Sequence, residues 1–206
     1  MISIIDYGLG NVRAFKNIFT KLNIDCEIVS CKVGIEKSKK LVLPGVGSFD
    51  WAMNKINKSG FRESLNFQVK EKKIPILGIC VGMQIMAVKS EEGKLKGFGW
   101  VNAIVEKIKM KNLKEPSNII LPHMGWNTVS ECKSSLFKNI KENSKFYFLH
   151  SYVVKNNLVD EVSSKTIYYN NFTSAFQSNN IYGVQFHPEK SHENGIKLLE
   201  NFYNYC

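Results

Sequence analysis

The sequence predicts an α/β fold: an open, mostly parallel, doubly wound sheet with helices on both faces and a β-rich excursion in the second half. Three observations predict it. Near-continuous apolar runs (Ile2-Ser3-Ile4-Ile5, Leu41-Val42-Leu43, Ile74-Pro75-Ile76-Leu77) alternate with stretches of helical spacing, as strands covered on both faces do. Glycine-bearing turns follow these runs, at Gly8, Gly45 and Gly78. Further on, β-branched and aromatic runs succeed one another with Asn, Ser and Gly turns and no long helices between them.

Residues 2–6 read as the first strand, followed by the turn Tyr7-Gly8-Leu9-Gly10-Asn11. Val12, Phe15, Ile18, Phe19 and Leu22 then recur at helical spacing. Gly8 and Gly10 do not open a dinucleotide fingerprint, because Arg13 stands where Gly-x-Gly-x-x-Gly needs its third glycine. Residues 26–29 are a second strand and 40–43 a third, ending in Pro44-Gly45-Val46-Gly47-Ser48-Phe49. A helix containing Trp51, Met53 and Ile56 follows, then another over 61–72. Residues 74–77 form the strand that feeds Gly78-Ile79-Cys80-Val81-Gly82, and Met83-Gln84-Ile85-Met86-Ala87 continue a helix. Within the β-rich section, 97–101, 104–108, 146–150 and 166–169 read as strands. Pro122-His123-Met124-Gly125-Trp126-Asn127 reads as a loop whose Trp suits a partner-facing hot spot. Gly183-Val184-Gln185-Phe186 is the last strand, and 195–202 an amphipathic closing helix. No linker, repeat or low-complexity tract divides the sequence, so one domain is expected across 1–206.

The formal charge is +10, but the lysines are scattered, in groups such as Lys70, Lys72 and Lys73, or Lys107, Lys109 and Lys111. None is interleaved with aromatics as a base-stacking platform would be, so a solvated surface is expected and not a nucleic-acid partner. No stretch approaches the ~20 apolar residues of a membrane span, and no secretory leader is apparent. The five cysteines are odd in number and form no Cys-x-x-Cys pair. Neither a disulfide framework nor a metal site is indicated, and a reducing cytoplasm is expected.

Gly-x-Cys-x-Gly between a buried strand and a helix start is the thiol form of a nucleophile elbow. The turn projects the Cys80 sulfur above the sheet at the positive end of a helix, which favours the nucleophilic thiolate. Such a nucleophile needs a base, and the base needs an orienting group. Among His123, His150, His187 and His192, His187 is best placed, just past an apolar strand, with Pro188 keeping its backbone extended. Glu189, two residues on, projects to the same side and can accept the far imidazole N–H. The loop at Gly45, Val46 and Gly47 exposes backbone N–H groups at a strand end; it reads equally as an oxyanion donor and as an ordinary turn. Ligands of open sheets bind at the carboxyl ends of strands, so these segments fall to one site.

The sequence also resembles the class I glutamine amidotransferases, and within them the glutaminase subunit of imidazole glycerol phosphate synthase. The resemblance rests on Asp6-Tyr7-Gly8-Leu9-Gly10-Asn11, Leu43-Pro44-Gly45-Val46-Gly47-Ser48-Phe49, Gly78-Ile79-Cys80-Val81-Gly82-Met83-Gln84, Ser90-Glu91-Glu92-Gly93, Pro122-His123-Met124-Gly125-Trp126-Asn127, Phe148-Leu149-His150-Ser151-Tyr152 and Gly183-Val184-Gln185-Phe186-His187-Pro188-Glu189-Lys190-Ser191. It implies that Cys80 attacks the side-chain amide of L-glutamine, that His187 shuttles the proton and that Glu189 orients His187. Backbone N–H groups around Gly45, Val46 and Gly47 and at Val81 would stabilise the oxyanion. Gln84, Glu92, His150, Ser151 and Tyr152 would hold substrate. No cofactor or metal is called for. Asn11, Met124 and Trp126 would face a (β/α)8-barrel cyclase subunit in a heterodimer, which uses the released ammonia to make imidazole glycerol phosphate in histidine synthesis. Gly97-Phe98-Gly99-Trp100-Val101-Asn102-Ala103 and His192-Glu193-Asn194-Gly195 are also similar to a paralogous branch, whose barrel partner builds amidino groups on surface sugars; both readings are open at this point. A cysteine hydrolase acting alone is a more distant alternative.

Overall fold

The computed structural model describes residues 1–109, 120–156 and 161–206; Lys111 lies outside the described residues. The first half alternates strand and helix: β1 (Ile2–Ile5), α1 (Val12–Lys21), β2 (Cys26–Val29), α2 (Lys32–Lys37) and β3 (Lys40–Gly45). It continues with α3 (Phe49–Ser59), α4 (Phe61–Asn66), β4 (Ile76–Cys80) and α5 (Val81–Gln84). The second half holds β5 (Lys89–Ser90), β6 (Ala103–Lys107), β7 (His123–Thr128), β8 (Lys145–His150) and β9 (Tyr152–Asn156). It ends with β10 (Val162–Tyr168), β11 (Asn170–Ser178), β12 (Ile181–Val184) and α6 (His192–Tyr205).

The main sheet has seven strands in the order β10-β11-β12-β4-β3-β1-β2. The five from β12 to β2 are parallel, and β11 and β10 extend the edge antiparallel. Every residue of β1 and of β4 is buried. Since successive side chains of a strand point to opposite faces, both faces of the sheet are covered. On α1 the apolar stripe puts Phe15 and Phe19 into the core, and on α6 it puts Leu198, Leu199 and Phe202 there.

The helix expected at Trp51, Met53 and Ile56 is α3, in which Phe49, Ala52, Met53 and Ile56 face the core while Trp51 is 52% exposed with the Lys55 ammonium 5.1 Å above its ring. Other expectations are corrected. The helix expected over 61–72 is α4, followed by a wide π turn at Phe67–Glu71. Residues 97–101 are not a strand: Gly99 has φ +67°, and the N–H groups of Phe98 and Trp100 bond the carbonyls of Ile85 and Met86 instead of a ladder. Pro122-His123-Met124-Gly125-Trp126-Asn127 is mostly not a loop, since β7 pairs antiparallel with β8 from His123 opposite His150 to Thr128 opposite Lys145.

The crossing of β3 and α5 positions the site. Gly45 stands opposite Cys80 in the ladder, and the Tyr7 hydroxyl braces this strand end by donating to the Pro44 carbonyl at 2.8 Å. A Cβ on Gly82 would run into the Leu43 carbonyl oxygen, and one on Gly78 would lie 2.6 Å from Met86 Cε. The elbow thus closes at backbone contact, which only glycine permits. We expect Gly82→Ala to lower the unfolding free energy by ~1–3 kcal/mol through overpacking. Equal urea midpoints for Gly82→Ala and wild type would refute this account of the crossing.

Candidate functional site

Cys80 ends β4 with φ +55° and ψ −112°, a conformation that non-glycine residues rarely adopt and that costs on the order of 1–3 kcal/mol. The strain aims the sulfur into a cavity of about 270 Å³. Its helix, α5, has only four residues, so the expected dipole is short. The charge facing the sulfur comes instead from His187, whose interaction with Cys80 raises the imidazole pKa, while Sγ itself lies 3.7 Å from the Leu149 carbonyl oxygen.

His187 follows β12, whose Val184 is opposite Ile79 of β4, so the ladder itself delivers His187 beside Cys80. Its backbone is extended (φ −102°, ψ 94°), as a residue before proline should be. The next residues form a short 3-10 turn, Pro188–Lys190. That turn brings Glu189 Oε1 to 2.9 Å from His187 Nδ1, with both side chains almost fully buried. Burial alone would lower the His187 pKa, but the interactions with Cys80 and Glu189 outweigh it and raise it to about 10. Ser191 Oγ ties the turn down by donating to the His187 carbonyl at 2.6 Å, and the His187 N–H donates to the Tyr147 carbonyl of β8.

The cavity is lined by Val46, Gly47, Cys80, Val81, Gln84, Glu92, His150, Ser151, Tyr152 and His187, all expected from the sequence, together with Pro122 and Leu149. Gly45 stands behind this wall against Tyr7 and the backbone of α5, and Glu189 stands behind His187. Glu92 Oε2 accepts the Phe49 N–H at 2.8 Å, at the start of α3. Burial raises the Glu92 pKa, the Phe49 N–H works against this, and Asp50 adds to it. A carboxylate held this way is suited to an ammonium group.

His150 does not reach the cavity as a hydrogen-bonding side chain: its Nδ1 is taken by the Tyr152 carbonyl at 2.9 Å and its Nε2 by His123 Nδ1 at 3.0 Å. Met124 and Trp126 point outward from β7, 65% and 46% exposed, with Trp126 stacked on His192 at 5.1 Å. Exposed Asn11 caps α1, its side chain accepting from the Ala14 N–H.

Sequence reasoning missed Gln185, whose Nε2 lies 3.7 Å from Cys80 Sγ and whose Oε1 accepts from Gln84 at 3.1 Å. Strand alternation signalled it, because Gln185 and His187 are two residues apart. It also gave no role to His123.

Residues 3–206 match the glutamine amidotransferase class-I family. Among similar relatives is imidazole glycerol phosphate synthase subunit HisH 2 of Methanococcus maripaludis, 49% identical over 98% of both chains. The HisH subunits of Leptospira borgpetersenii and Bdellovibrio bacteriovorus are each 45% identical, again over 98% of both chains. A solved glutamine amidotransferase from Thermotoga maritima superposes with a TM-score of 0.61 at 18% identity, over 98% of this chain and 82% of that one.

A pKa raised on folding stabilises the fold fully below the unfolded value, ~6.5 for histidine, and that stability is lost as pH rises through the folded value. The His187 contribution is therefore expected in full below pH ~6.5 and to vanish towards about pH 10. His187→Ala should cost ~3–5 kcal/mol at neutral pH, because it leaves Glu189 buried without a cation. Urea unfolding as a function of pH measures both; a penalty independent of pH would count against the ion pair.

Proposed function

The chain belongs to the class-I glutamine amidotransferases, and from that premise we propose that it is the glutaminase subunit of an imidazole glycerol phosphate synthase. The observation that carries this is the line Cys80, His187, Glu189 at the floor of a cavity walled by residues with substrate-binding chemistry. The relatives named as subunits of that synthase support the pathway.

The Cys80 thiolate attacks the side-chain amide carbon of glutamine. Backbone N–H groups at Val81 and in the loop at Val46 and Gly47 face the developing oxyanion, with Gly45 behind them at the end of β3. As the tetrahedral species collapses, the C–N bond breaks and His187 gives its proton to the leaving nitrogen, releasing ammonia and leaving a γ-glutamyl thioester. His187 then takes a proton from water, the hydroxide displaces the sulfur, and glutamate departs. Glu189 holds the imidazole in one orientation throughout. Glu92 receives the α-ammonium, and Gln84 and the segment at Ser151 and Tyr152 hold the rest of the substrate.

The ammonia is consumed by a partner, which we assign as a (β/α)8-barrel cyclase. The exposed apolar residues Met124 and Trp126 outside the cavity, and Leu149 at its wall (37% exposed), suit a protein surface. Asn11 lies in the turn whose Gly10 abuts Pro44, so a partner there also touches the loop behind the oxyanion site. A reducing cytoplasm fits five free cysteines. Among the described residues no helix is long and apolar enough to cross a membrane.

Cys80→Ala is expected to lower glutamine hydrolysis by the complex by ~10³-fold or more, while ammonia-dependent synthesis by the same complex continues. Native hydrolysis by Cys80→Ala would overturn the nucleophile, and a product other than imidazole glycerol phosphate would overturn the pathway. Glutaminase turnover should rise when the barrel subunit is added; equal rates with and without it would sink the partner's control of the 45–47 loop. Protonating Glu92 removes its attraction for the α-ammonium, so the glutamine KM should climb as pH falls, beginning above the ordinary glutamate range because its pKa is raised. Glu92→Gln should have a high KM that no longer varies over that range; an unchanged acid limb would reject the role.

A further inference from the structure

We infer that His123 and His150 are a tautomer-locked pair that positions Gln84 for substrate, an assignment that rests on the glutaminase reading. The Tyr152 carbonyl can only accept a hydrogen bond. His150 Nδ1 lies 2.9 Å from it, so Nδ1 carries the His150 proton. In the neutral ring Nε2 is then bare and accepts. The group facing it at 3.0 Å is His123 Nδ1, which therefore carries the His123 proton. His123 Nε2 is left bare in turn and accepts from Asn127 Nδ2 at 3.2 Å. The sense of the Asn127 amide is fixed independently, because its oxygen accepts the Thr128 N–H at 2.7 Å and its nitrogen also donates to the Ile167 carbonyl at 2.9 Å. With both rings neutral, one proton arrangement satisfies every member, running from Asn127 through His123 and His150 to Tyr152.

The Tyr152 carbonyl also accepts from Gln84 Nε2, at 3.0 Å. The same nitrogen donates to Gln185 Oε1 at 3.1 Å, and Gln185 Nε2 reaches Cys80 Sγ at 3.7 Å. Both amide protons of Gln84 are thereby used within the protein. Its oxygen is the atom left for the cavity, an acceptor for a substrate N–H. Reversing this amide would put oxygen against oxygen at Tyr152. The pair thus acts through Tyr152 and Gln84, and neither histidine nitrogen touches substrate.

The surroundings keep both rings neutral. His123 is sandwiched between Phe148 (4.8 Å, 21°) and Tyr168 (3.9 Å, 17°). His150 meets the edge of Phe172 at 5.2 Å. The titratable groups facing the pair are Tyr168 beside His123 and the raised His187 beside His150. Burial lowers the His123 pKa to about 4. Burial first, then His123 and His187, lowers that of His150 to about 3, against the Tyr152 bond.

Long-range proton–nitrogen NMR on the full chain tests the lock. Both rings should be neutral with the proton on Nδ1, and should stay so from pH 8 to 5.5. A proton on Nε2 of either ring, or titration near 6.5, overturns it. Kinetics in the synthase complex test the positioning. His123→Phe keeps the stack and removes the donor, and should raise the glutamine KM ~10-fold while changing kcat less, as for one lost hydrogen bond. His123→Asn carries an N–H near the Nδ1 position and should recover most of the loss. An unchanged KM in His123→Phe, or no recovery in His123→Asn, overturns the positioning role. A wild-type complex that never hydrolyses glutamine overturns the reading beneath it, and is recognised by that failure in a chain whose NMR lock is intact.

Discussion

The register that joins β3, β4 and β12 decides where the chemistry stands. Gly45 lies opposite Cys80, and Val184 lies opposite Ile79, so three neighbouring strands end at one level. Each hands its following segment to the same small volume: a glycine loop, a strained cysteine and a histidine with its carboxylate. A one-residue slip in any of these pairings would turn every side chain of that strand to the other face. The fully buried residues of β4 make such a slip costly, because they are apolar on both faces and already packed. The reactive geometry is thus held by the core of the sheet.

Two features of the site are unfavourable by themselves and stable only within this frame. Cys80 keeps a positive φ because the glycines at 78 and 82 allow β3, β4 and α5 to meet at backbone contact. Glu189 is almost fully buried, with Oε2 lacking any hydrogen-bond partner among the described residues. Its compensation is the His187 cation at 2.9 Å. The one-turn helix after Cys80 is too short to supply that positive charge, so His187 also provides much of the field at the Cys80 sulfur. That couples the roles: a change at Glu189 reaches Cys80 through His187.

Most of this is legible in the sequence where local chemistry and pattern agree. The apolar runs mark the parallel strands, and the three glycine- or proline-marked strand ends supply Val46, Gly47, Cys80, Val81, Gln84 and His187 of the cavity wall. Legibility fails where polarity and burial part company. The His123, Gly125 and Asn127 side of β7 faces inward, while Met124 and Trp126 face out, the reverse of the pattern that marks a half-buried strand. Hydrophobicity alone counts Trp51 with the core of α3, yet it stands in solvent under a lysine. Residues 97–101 have the aromatic content of a strand, but Gly99 breaks the extended path and tertiary bonds to Ile85 and Met86 replace a ladder. The role of His150 is hidden for another reason: its partner His123 lies 27 residues away in sequence, and only the pairing of β7 with β8 brings the two rings together.

The inverted pattern of β7 has a physical consequence. An antiparallel pair that buries histidines and exposes methionine and tryptophan is poorly arranged for an isolated surface and well arranged for one that is covered. Its inner side is already satisfied, through His123, His150 and Asn127, so the polar bonds do not depend on what covers the outer side. Yet the strand is one object. Met124 and Trp126 alternate along it with His123 and Asn127, and the bonds from His123 run through His150 and the Tyr152 carbonyl to Gln84. A body seated on the outer face therefore bears on the strand that carries His123, whose bonds reach the Tyr152 carbonyl of β9 through His150.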